Sequence, residues 1–324
     1  MSQEHENTAV NIKNKKKKKR SRAARLKKKA ERETLENQHE IPNVHNTNDS
    51  QLNNDISLCD IGANLMDKRF NKDRLEVLKR AEDQNVRCIV MTGTTDYGNK
   101  SIVKFISKFQ SQHNDSTSMS LYGTCGIHPH YSKSIEENIN VWKTMEKIWE
   151  GAPKNGIVSI GETGLDYNRN FSKPEIQRKW FEKHIQKSID LGLPLFCHER
   201  DAFEDFIGCI DKVQQMNPEK SLPPLVVHCF TGNEMEAKEY IKRGYYIGFT
   251  GCICKNTRGA PQRAILEKGI IPIDRLLIET DCPYMAPPKV DKVYQRRNEP
   301  CTLPKVLETC ATCLNKDTEI LASQ

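Results

Sequence analysis

The chain has no apolar run that approaches the roughly 20 residues of a membrane-spanning helix, and its mean hydropathy is −0.70. Its start carries no apolar h-region, so no secretory signal is read there. It has no paired CxxC motifs. Cys310-Ala311-Thr312-Cys313 stands alone in a helical pattern, which points to packing rather than to zinc or redox chemistry. It shows no internal repeat, which excludes a solenoid. Cysteine, by contrast, is plentiful: there are 12, and Cys88, Cys125, Cys197 and Cys229 fall inside apolar runs. Free cysteine in such a setting behaves as a small hydrophobe. A reducing intracellular compartment, cytoplasm or nucleus, is the expected home, with no membrane partner.

Charge is unevenly placed. The 324 residues carry a formal +7, and residues 1–50 hold 13 Lys and Arg against 7 Asp and Glu, so the rest is nearly neutral. Residues 1–56 offer too few apolar side chains to offset the entropy of ordering, and a disordered tail is expected there. Its basic run, Lys15, Lys16, Lys17, Lys18, Lys19 and Arg20, suits either a nucleic acid or an import receptor. Binding to phosphates through such a run would be salt-sensitive and blind to sequence.

From residue 57 to 324 the pattern is that of one α/β domain. Short apolar strands are predicted near 58–62, 86–92, 120–127, 156–161, 193–198, 224–229, 244–249 and 275–280. Helical periodicity fills the intervals, near 73–84, 98–110, 136–150, 174–191, 201–216, 233–242 and 261–268, with a last segment near 303–314. Pro174 and Pro261 suit first helical turns, and Gly192 and Gly244 suit helix stops. Eight strands alternating with eight helices predict a (β/α)8 TIM barrel, about 250 residues in its common form. Little chain follows the last segment, so closure is expected to be thin.

Four of the strands end on residues that bind metals: Glu162, His198, His228 and Asp281. In a parallel barrel the C-terminal strand ends meet on one face, where barrel enzymes keep their chemistry. Carboxylates gathered there are costly to bury unpaired, and a divalent cation removes that cost. With two imidazoles, two carboxylates and no thiolate, Mg²⁺ or Mn²⁺ is favoured and Zn²⁺ is possible, as one ion or two. Asp281 is the candidate to take a proton from the attacking water. Gly126-Ile127-His128-Pro129-His130-Tyr131 follows the third strand, so His128 and His130 are candidates to contact a phosphate or a leaving oxygen. Arg200 can fork onto a phosphate or pair with Glu199 or Glu279.

The stretches Asp60–Leu65, Gly126–His130, Ile160–Arg169, Phe196–Ala202, Val227–Gly232, Gly248–Gly251 and Ile278–Tyr284 resemble the TatD family of metal-dependent deoxyribonucleases. Arg297-Asn298-Glu299-Pro300 resembles that family's entry to its last helix. The resemblance implies a TIM-barrel hydrolase that cleaves DNA phosphodiesters with Mg²⁺ or Mn²⁺, with 3′→5′ exonuclease action on single strands. It places the metal on Glu162, His198, His228 and Asp281. Many members carry His-x-His after the first-strand aspartate, whereas Gly62 and Asn64 follow Asp60 here. Asp60 and Asn64 are weaker candidates for substrate contact. Alternative readings are a hydrolase of RNA or of an aminoacyl-tRNA ester, or a nucleic-acid binder driven by its tail.

Overall fold

The computed structural model describes residues 56–113 and 118–324. The expected tail, with Lys15–Arg20, lies outside the described residues except for Ile56. Eight parallel strands form one sheet in the order β1 to β8. They are β1 (Leu58–Ala63), β2 (Val86–Met91), β3 (Ser120–Cys125), β4 (Ile157–Asp166), β5 (Leu195–Arg200), β6 (Leu225–Val227), β7 (Tyr246–Phe249) and β8 (Leu276–Ile278). Around them lie α1 (Arg74–Glu82), α2 (Asp96–His113), α3 (Lys133–Glu137), α4 (Asn140–Glu150), α5 (Pro174–Leu191), α6 (Phe203–Gln215), α7 (Glu234–Lys242), α8 (Ala260–Glu267), α9 (Lys292–Arg296), α10 (Leu303–Cys313) and α11 (Thr318–Ala322). Among the described residues no helix is long and apolar enough to cross a membrane.

The expected barrel is present, and its departures from the predicted boundaries have local causes. The helix expected over 136–150 is two helices, because Asn138 takes an extended conformation (φ −150°, ψ 98°) between them. β4 runs on to Asp166, pairing Gly164 with His198 and Asp166 with Arg200, so Glu162 lies within the strand rather than at its end. β8 stops at Ile278 because the chain then turns to β1. Thr280 N–H donates to Asp60 Oδ1 (2.9 Å), Asp281 N–H to Gly62 O (2.8 Å), and Asn64 N–H to Cys282 O (2.8 Å). These contacts and the Ala63–Cys282 bridge close the ring.

Closure is better supported than the sequence suggested. Leu303, Val306, Leu307 and Cys310 of α10 are buried in the core, and α11 adds Leu321. Arg297 and Arg80 converge on the buried Glu299 (2.5 and 2.8 Å) and on Asp73 (2.7 and 3.3 Å). Asn298 Nδ2 donates to Thr280 O (3.0 Å), so the Arg297–Glu299 segment latches α1 to the end of β8. Breaking one partner of such a buried ion pair strands a charge, which makes the latch costly to open.

The β4–β5 seam is where backbones approach most closely. Gly164 has φ +134°, and a Cβ there would lie 2.0 Å from His198 O. Gly192, the αL stop of α5, has φ +67° with nothing within 4 Å of a Cβ. Gly164→Ala is therefore expected to cost about 3 kcal/mol or more in denaturant unfolding. Gly192→Ala should cost only about 1 kcal/mol, the intrinsic penalty of a left-handed alanine.

Candidate active site

The centre of the barrel mouth is one carboxylate oxygen among three imidazoles. Glu162 Oε1 lies 2.9 Å from His228 Nε2, 3.0 Å from His198 Nδ1 and 3.3 Å from His128 Nε2. Burial alone would push the Glu162 carboxyl up. The His128 and His228 rings, with His198, outweigh it and hold that carboxyl well below the usual range. Burial opposes charge on His198 and His228 too, yet Asp166 and Glu162 raise His198, and Glu162 and Glu279 raise His228 well above ordinary imidazole.

Two of these rings are each backed by a second carboxylate that the sequence reading did not assign. His228 Nδ1 is 3.3 Å from Glu279 Oε2, and Glu279 Oε1 also accepts from Cys229 N–H (2.5 Å). His198 Nε2 is 3.3 Å from Asp166 Oδ2 but off hydrogen-bond geometry, leaving that buried nitrogen without a hydrogen bond. Asp166 is held in turn by α5: Gln177 accepts from its N–H (2.8 Å) and donates to its carbonyl (3.1 Å). Carboxylates behind imidazoles fix ring orientation and tautomer at metal centres. For Asp166 a sequence signal exists: it is four residues beyond Glu162, the even spacing that keeps side chains on one face of β4.

The two histidines after β3 have distinct settings. His128 Nδ1 accepts the backbone N–H of His130 (3.0 Å). Burial holds the His128 imidazole down to about 3, so the ring is neutral with its single proton on Nε2. It is thus a hydrogen-bond donor at the mouth, although its nitrogen, Glu162 and His198 offer ligand atoms within 4.8 Å of one another. His130 Nε2 is 2.8 Å from Asp166 Oδ2, which leaves Nδ1 as the ring nitrogen available to substrate.

Asp281 joins the site from the other side. Its Oδ1 accepts from Asn64 Nδ2 (2.8 Å), and burial pushes its carboxyl up to about 8, against the pull of His228. Asn64, partly buried, orients Asp281 through Nδ2. One first-strand expectation needs correction. Asp60 is fully buried, its oxygens taken by Gly62 N–H (3.2 Å) and by the N–H and hydroxyl of Thr280 (2.9 and 2.5 Å). It therefore anchors β8 and cannot reach substrate. At Gly62 the missing side chain leaves the space that the Glu279 carboxylate occupies. Arg200 is half-buried at the end of β5 and pairs with neither Glu199 nor Glu279. Glu199 instead accepts from Ala202 N–H and Tyr240.

The donor set fits a divalent cation. An ionised carboxylate ringed by imidazole nitrogens, one of them orphaned, is the arrangement a cation completes. Among the described residues the grouping of possible ligands at the mouth is His128, Glu162 and His198, with no cysteine in it. Burial pushes the thiols of Cys197, Cys229 and Cys282, each next to a candidate ligand in sequence, well above their ordinary range. Fold and site together define a (β/α)8 barrel hydrolase with a metal-binding mouth.

The family model for TatD-related DNases matches residues 59–324. The 3′-5′ ssDNA/RNA exonuclease TatD of Shigella flexneri is 38% identical over 267 residues, 82% of this chain and 95% of that protein. The protein of the same description from Escherichia coli K12 is also 38% identical over 267 residues, with the same coverage. Among solved structures, a TatD family hydrolase from Entamoeba histolytica superposes with a TM-score of 0.70 at 24% identity, covering 83% of this chain and 95% of that one. An uncharacterised amidohydrolase from Saccharomyces cerevisiae gives 0.68 at 24% identity, covering 83% and 97%. The chain belongs to the TatD-related DNase family and is a hydrolase.

A raised carboxyl pKa has a stability consequence of definite sign. Folded Asp281 binds its proton up to about pH 8, while the unfolded group releases it near 3.8. The folded state therefore holds more protons between those values, and metal-free stability falls as pH rises through them. Asp281→Asn removes this cost. In EDTA the variant is expected to be a few kcal/mol more stable than wild type at pH 8, the gain vanishing near pH 4. Denaturant unfolding at the two pH values checks this, and a variant less stable at pH 8 contradicts it.

Proposed function

We propose that this chain is a divalent-cation-dependent 3′→5′ exonuclease that hydrolyses single-stranded DNA, and RNA as well. The observation that carries this is the Glu162 carboxylate amid three imidazoles at the barrel mouth, in a chain 38% identical to named ssDNA/RNA exonucleases over 267 residues. Glu162, His198, His228 and Asp281 would hold the cation. Nitrogen and carboxylate donors without thiolate favour Mg²⁺ or Mn²⁺. When bound, the cation would supply neutralisation of the phosphate and a lowered pKa for the attacking water.

The remaining work falls to the chain's own groups. Asp281, oriented by Asn64, receives the proton of the attacking water. His128 Nε2–H donates to a non-bridging phosphate oxygen, its tautomer set by the His130 backbone. In its imidazolium form His130, with Nε2–H held by Asp166, would give its Nδ1 proton to the leaving 3′-oxygen. Arg200, free of protein partners at the mouth, pairs with a neighbouring phosphate. The Lys15–Arg20 run would add salt-sensitive affinity for nucleic acid or serve as an import signal.

A time course on 5′-labelled single-stranded DNA and RNA with EDTA, Mg²⁺, Mn²⁺ or Zn²⁺ tests the reading. The expected result is a metal-dependent ladder shortening from the 3′ end, abolished in Asp281→Ala. Folded protein that cuts neither strand with any metal would refute it and direct attention to other esters, aminoacyl-tRNA included. Separately, Glu279→Ala should weaken Mn²⁺ binding about 10- to 100-fold in calorimetry, because His228 loses its backing carboxylate. Unchanged affinity would remove Glu279 from the site.

A further inference from the structure

The exposed aromatic side chains are not scattered. Among the described residues five tyrosines or phenylalanines count as exposed, and four of them follow the C-terminal end of a strand. Tyr97 (80% exposed) follows β2, Tyr131 (48%) follows β3, Phe171 (59%) follows β4 and Tyr284 (50%) follows β8. Aromatic rings carry a large apolar area that folding usually buries, so their concentration on one rim calls for a ligand.

Two of these rings are tied directly to the site. Phe171 meets the His130 ring edge to face, with centroids 4.9 Å apart, and His130 in turn grips Asp166. Tyr284 N–H donates to Asp281 O (3.0 Å), and Arg69 lies over its ring, 4.4 Å from the centroid. Phe171 follows β4, which carries Glu162, and Tyr284 follows β8 three residues beyond Asp281.

We propose that Phe171 and the Tyr284–Arg69 stack are base-stacking platforms that hold unpaired nucleobases of the substrate strand beside the site. The inference rests on the nuclease reading and names the residues that would grip its single strand. A base freed from a duplex offers its whole face to such a ring. Stacking is indifferent to sequence because every base has a π-face, so the platforms grip a strand without reading it. The Arg69 guanidinium over Tyr284 is itself held by both Asp67 oxygens (2.9 and 3.0 Å), so it steadies that ring rather than adding unpaired positive charge.

The test separates bases from phosphates. Binding of a fluorescent oligothymidylate and of an abasic strand of equal length is measured by anisotropy on the full chain. EDTA prevents hydrolysis, and about 0.3 M salt suppresses contacts made to phosphates alone. Phe171→Ala and Tyr284→Ala should each weaken oligothymidylate binding roughly 5- to 150-fold, the range for one lost stacking contact. They should leave abasic-strand binding within about twofold, while Phe171→Tyr and Tyr284→Phe retain affinity for both. Wild-type affinity in the alanine variants, equal losses on both strands, or a wild type indifferent to the bases would each overturn the proposal. A wild type that shows the base-dependent signature but hydrolyses neither DNA nor RNA would refute the nuclease reading while leaving the platforms standing.

Discussion

The buried Glu162 carboxylate and the imidazoles facing it constrain the rest of this structure. An isolated carboxylate inside a barrel mouth is far too costly to keep ionised, and His128, His198 and His228 lower that cost by surrounding it. Each ring then needs its own support. Asp166 backs His198, Glu279 backs His228, and the His130 backbone fixes His128. Those supports need further ones: Gln177 holds Asp166, and the bare Cα of Gly62 leaves room for Glu279. The site is thus a nested set of polar contacts supplied from several strands and helices, with His198 Nε2 left without a hydrogen bond. In a low-dielectric interior such a network is stiff when complete and costly when one member is lost.

His198 is raised by Asp166 and Glu162, and His228 by Glu162 and Glu279, above the ordinary imidazole range. A cation taken up by these rings would compete with protons, so its affinity would depend on pH. Asp281 differs. It faces no imidazole at contact distance, and without a cation its burial favours the protonated form. That is stability given up for function, at the position assigned to proton transfer.

Much of the fold was legible because it is written in local periodicity. Apolar runs of strand length separated by amphipathic segments require only near neighbours to be read, and all eight strands fell where expected. Glu162, His198 and His228 were legible because each lies at or near the C-terminal end of an apolar run, which a barrel directs to one face. The backing role of Asp166 and Glu279 is not legible locally, because a carboxylate that supports an imidazole looks in sequence like one that caps a helix. Asp60 is the converse case: its place in β1 suggests the mouth, but Gly62 and the turn after β8 take up its oxygens.

The sequence by itself determined the barrel, the order of its strands and the residue types delivered to its mouth, since these follow from patterns within a few residues. Only the tertiary structure decided which carboxylate faces which ring, which nitrogen of His128 bears the proton, and that Asp60 is an anchor. Those outcomes depend on contacts between residues far apart in the chain, 66 positions for Glu162 and His228 and 220 for Asp60 and Thr280. They depend as well on burial, which sets the cost of each charge and exists only once the ring has closed.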